Sequence, residues 1–172
     1  MEKIKLGISS CLLGEEVRYD GGHKLDLFLK KALGEYVEYV SVCPEVECGF
    51  GVPRKSMRLE GEPDSFRLII TETGQDMTER MMNWAQKRVI QLEEEDISGF
   101  IFKSNSPSCG VKRVKIYNKK NVPVQVGVGI FAGVFIKRFP LLPVEDEESL
   151  HDLKLRENFI EKIFAYAKLS LK

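Results

Sequence analysis

Residues 3–14 read Lys3-Ile4-Lys5-Leu6-Gly7-Ile8-Ser9-Ser10-Cys11-Leu12-Leu13-Gly14. Charged and apolar residues alternate as far as Ile8, the period of a strand, and the pattern breaks at Ser9-Ser10-Cys11 with Gly14 close behind. Cys11 therefore follows the end of a strand. The same arrangement recurs twice. Tyr36 to Val42, rich in valine and tyrosine, runs into Cys43-Pro44-Glu45, where proline forbids further pairing. Gly99 to Phe102 empties into Lys103-Ser104-Asn105-Ser106-Pro107-Ser108-Cys109-Gly110, a loop too rich in small polar residues to be regular.

Helical patterns fall between these strands. Leu25, Phe28, Leu29 and Leu33 recur at helical spacing with Gly34 as a stop, and from Asp76 to about Glu95 the residues Met77, Met81, Trp84, Ala85, Val89 and Leu92 mark one apolar stripe. Phe66 to Thr71 reads as another strand, Gly127 to Ile136 as a buried helix, and Leu141 to Val144 as a last short strand. Leu155, Phe159, Ile163 and Phe164 indicate a terminal helix, with Lys162, Lys168 and Lys172 toward its end. Gly49 to Pro63, punctuated by Gly49, Gly51, Pro53 and Gly61, reads as an irregular, lid-like loop. Strand, helix, strand in repetition predicts an α/β fold with a mostly parallel sheet.

The 172 residues suit one domain burying roughly two thirds of its unfolded surface. Twenty-six basic residues balance twenty-six acidic ones, so no long-range field draws the molecule to DNA or to an anionic membrane. The amino terminus has too short an apolar run for a secretory signal, and no stretch of about 18 apolar residues occurs, so a soluble, cytoplasmic protein is expected. In such a reducing compartment four cysteines are not expected to pair, which leaves metal binding, nucleophilic chemistry or burial.

In open α/β sheets ligands bind beyond the carboxyl ends of parallel strands, where three of the cysteines lie. Zinc would ask for close cysteine pairs or histidine and carboxylate partners, and neither pattern is present. His23 and His151 are far from any cysteine in sequence and are assigned no chemistry. Three thiolates from separate loops suit an iron-sulfur cluster with one iron left open as a Lewis acid. Cys48, five residues after Cys43, competes with it as a ligand. Two other readings stay open: a redox-sensing or cluster-carrying protein without turnover, and a metal-free enzyme with Cys109 as nucleophile.

Four segments stand out together: residues 7–14, Val17-Arg18-Tyr19-Asp20-Gly21-Gly22, Val42-Cys43-Pro44-Glu45-Val46, and residues 103–110. In this order, with their glycines, they resemble the TudS-like desulfidase family over about residues 1 to 143. The resemblance implies a Rossmann-like three-layer α/β domain holding a 4Fe-4S cluster through Cys11, Cys43 and Cys109, with one open iron. It implies removal of sulfur from thiouracil-type bases without net redox, with the thiocarbonyl sulfur on the open iron and sulfide leaving. Glu45 and a serine of the 104–109 loop, Ser106 first and Ser104 second, would be acid/base and positioning groups. A capping role for Glu45 and turn-forming roles for the serines are the plain alternatives.

Arg18, Tyr19 and Asp20, with Ser10 and Ser108, are the substrate-binding candidates. Cys48 stands where a glycine is more usual in the family, and residues 144–172 look like the start of a second domain, here one helix long. The longer relatives are linked with 4-thiouridine in transfer RNA and the shorter ones with free thiouracils or thiolated nucleotides, so the expected partner is a thiolated pyrimidine as base, nucleoside or nucleotide, with transfer RNA as an alternative. Arg54, Lys55 and Arg58, and Lys112, Arg113, Lys115, Lys119 and Lys120, offer phosphate contacts, although solvated faces explain them more simply.

Overall fold

Residues 4–9 form strand β1 (Ile4–Ser9), whose last four residues are all buried, as expected of a strand covered on both faces. The structure is a computed structural model that describes residues 2–62 and 64–171, so Met1, Pro63 and Lys172 lie outside the described residues. Strand β2 (Val37–Val42) pairs parallel to β1 from Ile4 opposite Val37 to Ser9 opposite Val42. Strands β3 (Met57–Glu62), β4 (Ser65–Ile70), β5 (Phe100–Phe102), β6 (Val114–Tyr117), β7 (Pro123–Gly127) and β8 (Val144–Asp146) follow in chain order. One sheet has the order β2-β1-β5-β8 with every pairing parallel.

Register decides what meets at the edge of this sheet. Ser9 stands opposite Val42, so Ser10-Cys11 and Cys43 leave side by side. Phe102 stands opposite Asp146, so Lys103 and Glu147 do the same. All four strands thus empty their next residues at one end, the arrangement in which open α/β sheets bind ligands.

Both faces are covered. Leu6, Ile8 and Ile101 join a cluster with Leu29, Leu33, Leu150, Phe159 and Ile163, the last two from helix α4 (Leu153–Ser170), whose start is capped by Asp152 accepting from the Leu155 amide at 3.0 Å. Phe100 and Phe102 face the opposite way, into a cluster with Met81, Ala85, Val89 and Leu92 of helix α2 (Thr78–Glu94) and Phe131 and Phe135 of helix α3 (Ile130–Arg138). The ring centroids of Phe100 and Phe102 are 4.2 Å apart, and Phe135 meets both edge-on. Each such side chain contributes about 1.5–3 kcal/mol by leaving water. The expected three-layer α/β fold is therefore present, and the stripe read on residues 77–92 is its packing face.

Beside it lies a second sheet, β4-β3-β6-β7, that the pattern reading did not anticipate. Its β3 occupies the supposed irregular loop, and the β6–β7 hairpin occupies the supposed basic loop and the start of the expected helix at Gly127, which begins only at Ile130. The last parallel strand lies two to three residues later than expected, at Val144–Asp146. The first helix reduces to one π-helical turn (Phe28–Ala32) and a 3-10 turn (Leu33–Glu35). The reason is upstream: Lys24 and Asp26 donate their amides to the carbonyls of Cys11 and Leu12, which holds residues 24–26 extended along the cysteine turn. Asp26 Oδ1 then accepts from the Leu29 amide at 3.0 Å and caps what helix remains.

The loop bearing Cys109 is docked on the start of α3. Gly129, Ile130 and Ala132 donate their amides to the carbonyls of Gly110, Pro107 and Ser108. A Cβ on Gly129 would lie 2.6 Å from both the carbonyl carbon and oxygen of Ser108, which are backbone and cannot rotate away. Gly129→Ala is expected to cost about 1–3 kcal/mol by forcing the two segments apart, read as a lower urea midpoint with an unchanged slope.

Candidate active site

The ends of the parallel strands open into a cavity of about 910 Å³. Cys11, Cys43 and Cys109 all line it. Cys11 sits in the 3-10 turn Ser10–Leu13, closed by Gly14 at a φ of 90° that favours glycine. Cys43 precedes helix α1 (Pro44–Glu47), and its amide donates to Glu47 Oε2 at 3.0 Å. Cys109 is oriented by Ser106, whose Oγ accepts from the amides of Cys109 at 3.0 Å and Ser108 at 3.2 Å.

Burial pushes the Cys11 thiol up to about 11, opposed by the charges of Arg18 and Lys103 and reinforced by Cys43 and Glu147. Burial also raises Cys43, opposed by the Val46 amide and reinforced by Glu45. Cys109 is raised well above an ordinary thiol, again first by burial, with a Ser9 hydrogen bond opposing and Cys43 and Cys11 reinforcing. Charge on one thiol is thus felt by its neighbours, and three thiolates in this corner call for a cationic partner. Soft thiolates from three loops are the donor set an iron-sulfur core takes. Among the described residues no three His, Cys, Asp or Glu side chains gather as tightly as a single metal ion requires. Cys48 is buried elsewhere, in the core with Met77 and Met81, and its carbonyl accepts from Arg80 Nε at 3.1 Å.

The other candidates divide. Glu45, Ser104, Ser106, Ser10, Arg18 and Tyr19 line the cavity. Glu45 sits on the first turn of α1, its Oε2 3.4 Å from Arg54 Nη2. Ser104 is committed to the scaffold: its Oγ and its amide each lie 2.7 Å from the Glu147 carboxylate. Arg18 leans on the exposed Tyr19 ring, 5.9 Å from its centroid. The structure does not bring Asp20 or Ser108 to the cavity wall: Asp20 is exposed and bonds the Gly22 amide at 2.9 Å as a turn-former, and Ser108 is fully buried.

Residues given no catalytic or base-binding role by the sequence also line the cavity: Lys103, Glu147, Arg54, offered there only as a phosphate contact, and the two histidines left without chemistry. His151 Nε2 lies 3.0 Å from Asp26 Oδ2. Glu147 follows β8 just as the cysteines follow their strands, so the same rule would have found it had the last strand been placed two residues later. Lys103 Nζ bonds Glu147 with side chains only 13% and 10% exposed. Glu147→Ala leaves that ammonium buried with only the neutral oxygens of Ser104 and no counter-charge, so a loss of about 3 kcal/mol is expected, and Lys103→Met in the same chain should recover part of it in a denaturation series.

Fold and cavity together define an α/β protein with a cavity at the carboxyl ends of its parallel strands, lined by the three thiols of Cys11, Cys43 and Cys109. The 2-thiouracil desulfurase family model matches residues 6–147, and the chain belongs to that family of desulfurating enzymes, as the four motifs indicated. It is 38% identical over 108 residues to the uncharacterized protein YbbK of Bacillus subtilis (strain 168), covering 60% of this chain and 71% of that protein. Among solved structures it is similar to a 4Fe-4S-dependent thiouracil desulfidase, TudS, at 31% identity and a TM-score of 0.70, covering 91% of this chain and 99% of the other. Among the described residues no helix is long and apolar enough to cross a membrane.

Proposed function

We propose that this chain is a 4Fe-4S-dependent, non-redox desulfidase acting on thiolated pyrimidines: thiouracil, or 4-thiouridine as nucleoside, nucleotide or RNA. The observation that carries this is the convergence of Cys11, Cys43 and Cys109 on one cavity with Glu45 in its wall. In the proposal these three thiolates hold the cluster and Cys48 does not. When bound, the cluster supplies a thiophilic Lewis acid at an iron without a protein ligand, which polarises the thiocarbonyl.

The rest falls to side chains. Glu45 accepts the ring N–H and moves a proton between the attacking water and the leaving sulfur. Ser106 fixes Cys109 through its lone pairs and has its hydroxyl proton left to orient substrate. Ser104 acts from behind, by holding Glu147 and Lys103 at the rim. Tyr19 and Arg18 offer an exposed ring and guanidinium for the base and its substituent. One water is consumed and one sulfide released, with no electrons added. The tail from residue 144 is proposed as an extension of the 1–143 unit that lends Glu147 and His151 to the cavity, and a cytoplasmic location suits cysteines that are not paired in disulfides.

The test is anaerobic. Reconstituted protein should release equal amounts of sulfide and uracil from 2-thiouracil, or of sulfide and uridine from 4-thiouridine, without a reductant. Fully loaded protein that is inert to every thiopyrimidine overturns the reading.

A further inference from the structure

Arg54 belongs to a basic loop that a sequence reader assigns to solvent, yet its side chain is only 6% exposed and lies in the cavity wall. Its main chain is pinned, the amide donating to the Tyr19 carbonyl at 2.8 Å. A guanidinium carries five N–H donors and cannot give up its charge. Here Nη1 donates to the Gly51 carbonyl at 2.9 Å, Nη2 stands 3.4 Å from Glu45, and the buried Nε has no partner among the described residues. Most of its donor capacity is unspent, which in a buried cation costs free energy until an acceptor arrives.

The contact with Glu45 is a single long one, unlike the two-bonded fork that arginine and carboxylate form when each satisfies the other. Carboxylate and guanidinium instead stand side by side with capacity in reserve: an acceptor next to a donor, both on the cavity that holds the thiols. We infer that Glu45 and Arg54 read the imide half of the substrate ring, Glu45 accepting from the ring N–H and Arg54 donating to the carbonyl oxygen beyond it, so that Arg54 is a specificity-determining residue. The inference rests on the desulfidase reading and deepens it.

The chemistry of the ring makes the assignment specific. In thiouracils a thiocarbonyl, an N–H and a carbonyl follow one another around the edge, whether sulfur is at ring position 2 or 4, because the N–H at position 3 lies between them. With sulfur toward the thiols, the same pair therefore serves both isomers. It also serves a nucleoside, whose sugar, on N1, lies outside this three-group edge. Pyrimidine-2-thione keeps a thiocarbonyl with a neighbouring N–H but carries C–H where the carbonyl would be, which leaves Arg54 unpaired.

Two measurements test this on anaerobically reconstituted protein. In steady-state kinetics the wild type should favour 2-thiouracil over pyrimidine-2-thione by about 10- to 100-fold in kcat/KM, chiefly through KM. Arg54→Gln should bring that ratio close to one while iron content stays unchanged, and Arg54→Lys should fall between. In calorimetry, uracil should bind the wild type at least about 10-fold more tightly than pyrimidin-2-one, and Arg54→Gln should not distinguish them. The calorimetric arm needs no turnover, so it reads Arg54 even if the desulfidase reading fails. Equal wild-type affinity for the two oxo compounds overturns the inference whatever happens to the variants. So does an Arg54→Gln protein that keeps its discrimination or loses iron in place of it.

Discussion

Serine in place of Cys11, Cys43 or Cys109 should each abolish the broad visible absorbance of the reconstituted protein and bring bound iron to background, whereas Cys48→Ala should leave both intact. A hydroxyl is a hard, weakly acidic ligand and does not replace a thiolate on iron. The contrast comes from placement. The first three line one cavity at the ends of β1, β2 and the β5 loop, while Cys48 does not line it and is buried in the core. Loss of the Cys48 sulfur should therefore cost about 1 kcal/mol of stability and no iron. The serine variants should stay folded, because each sits in a turn closed by backbone bonds: Gly14 to Cys11, Glu47 to Cys43 and Gly110 to Ser106. A thermal melt beside the iron assay separates lost ligation from lost structure.

Glu45→Gln should keep its iron and its absorbance and lose turnover by about 10²- to 10⁴-fold. Glutamine preserves the size of the side chain and an acceptor oxygen, so the α1 turn and its approach to Arg54 survive. What it cannot do is take a proton from water and return one to sulfur. This variant also discriminates between the readings left open by the sequence, because a cluster carrier or redox sensor has no use for a base at this position and would keep its behaviour. A rise in KM alone, with kcat preserved, would assign Glu45 to binding and remove its role in proton transfer.

The strand ends that line the cavity were more legible than the second sheet beside them. Strand ends announce themselves by a change of composition, and Ser9-Ser10-Cys11, Cys43-Pro44 and Ser104 to Cys109 each break a run of apolar residues. The second sheet hid for physical reasons. Gly61, at a φ of 130° and with Ser65 and Phe66 backbone packed against the place of its missing Cβ, reads as a loop glycine although it lies within β3. The β6–β7 hairpin exposes Lys115, Val124 and Val126 on one face and buries Val114 and Ile116 on the other, a pattern too short to stand out beside Lys119 and Lys120 in its turn. Arg54 and Glu147 were hidden by another limit, since charge in a sequence reads as surface until the register of neighbouring strands shows which charges are drawn inward.

In the proposed enzyme three thiols from distant parts of the chain serve one inorganic core. Iron and acid-labile sulfide measured per chain on anaerobically reconstituted wild-type protein test this most directly: about four of each are predicted, with at most background iron in the Cys11, Cys43 and Cys109 variants. Iron retained in full by a chain lacking all three thiols, or desulfuration by a folded protein without iron, would contradict it.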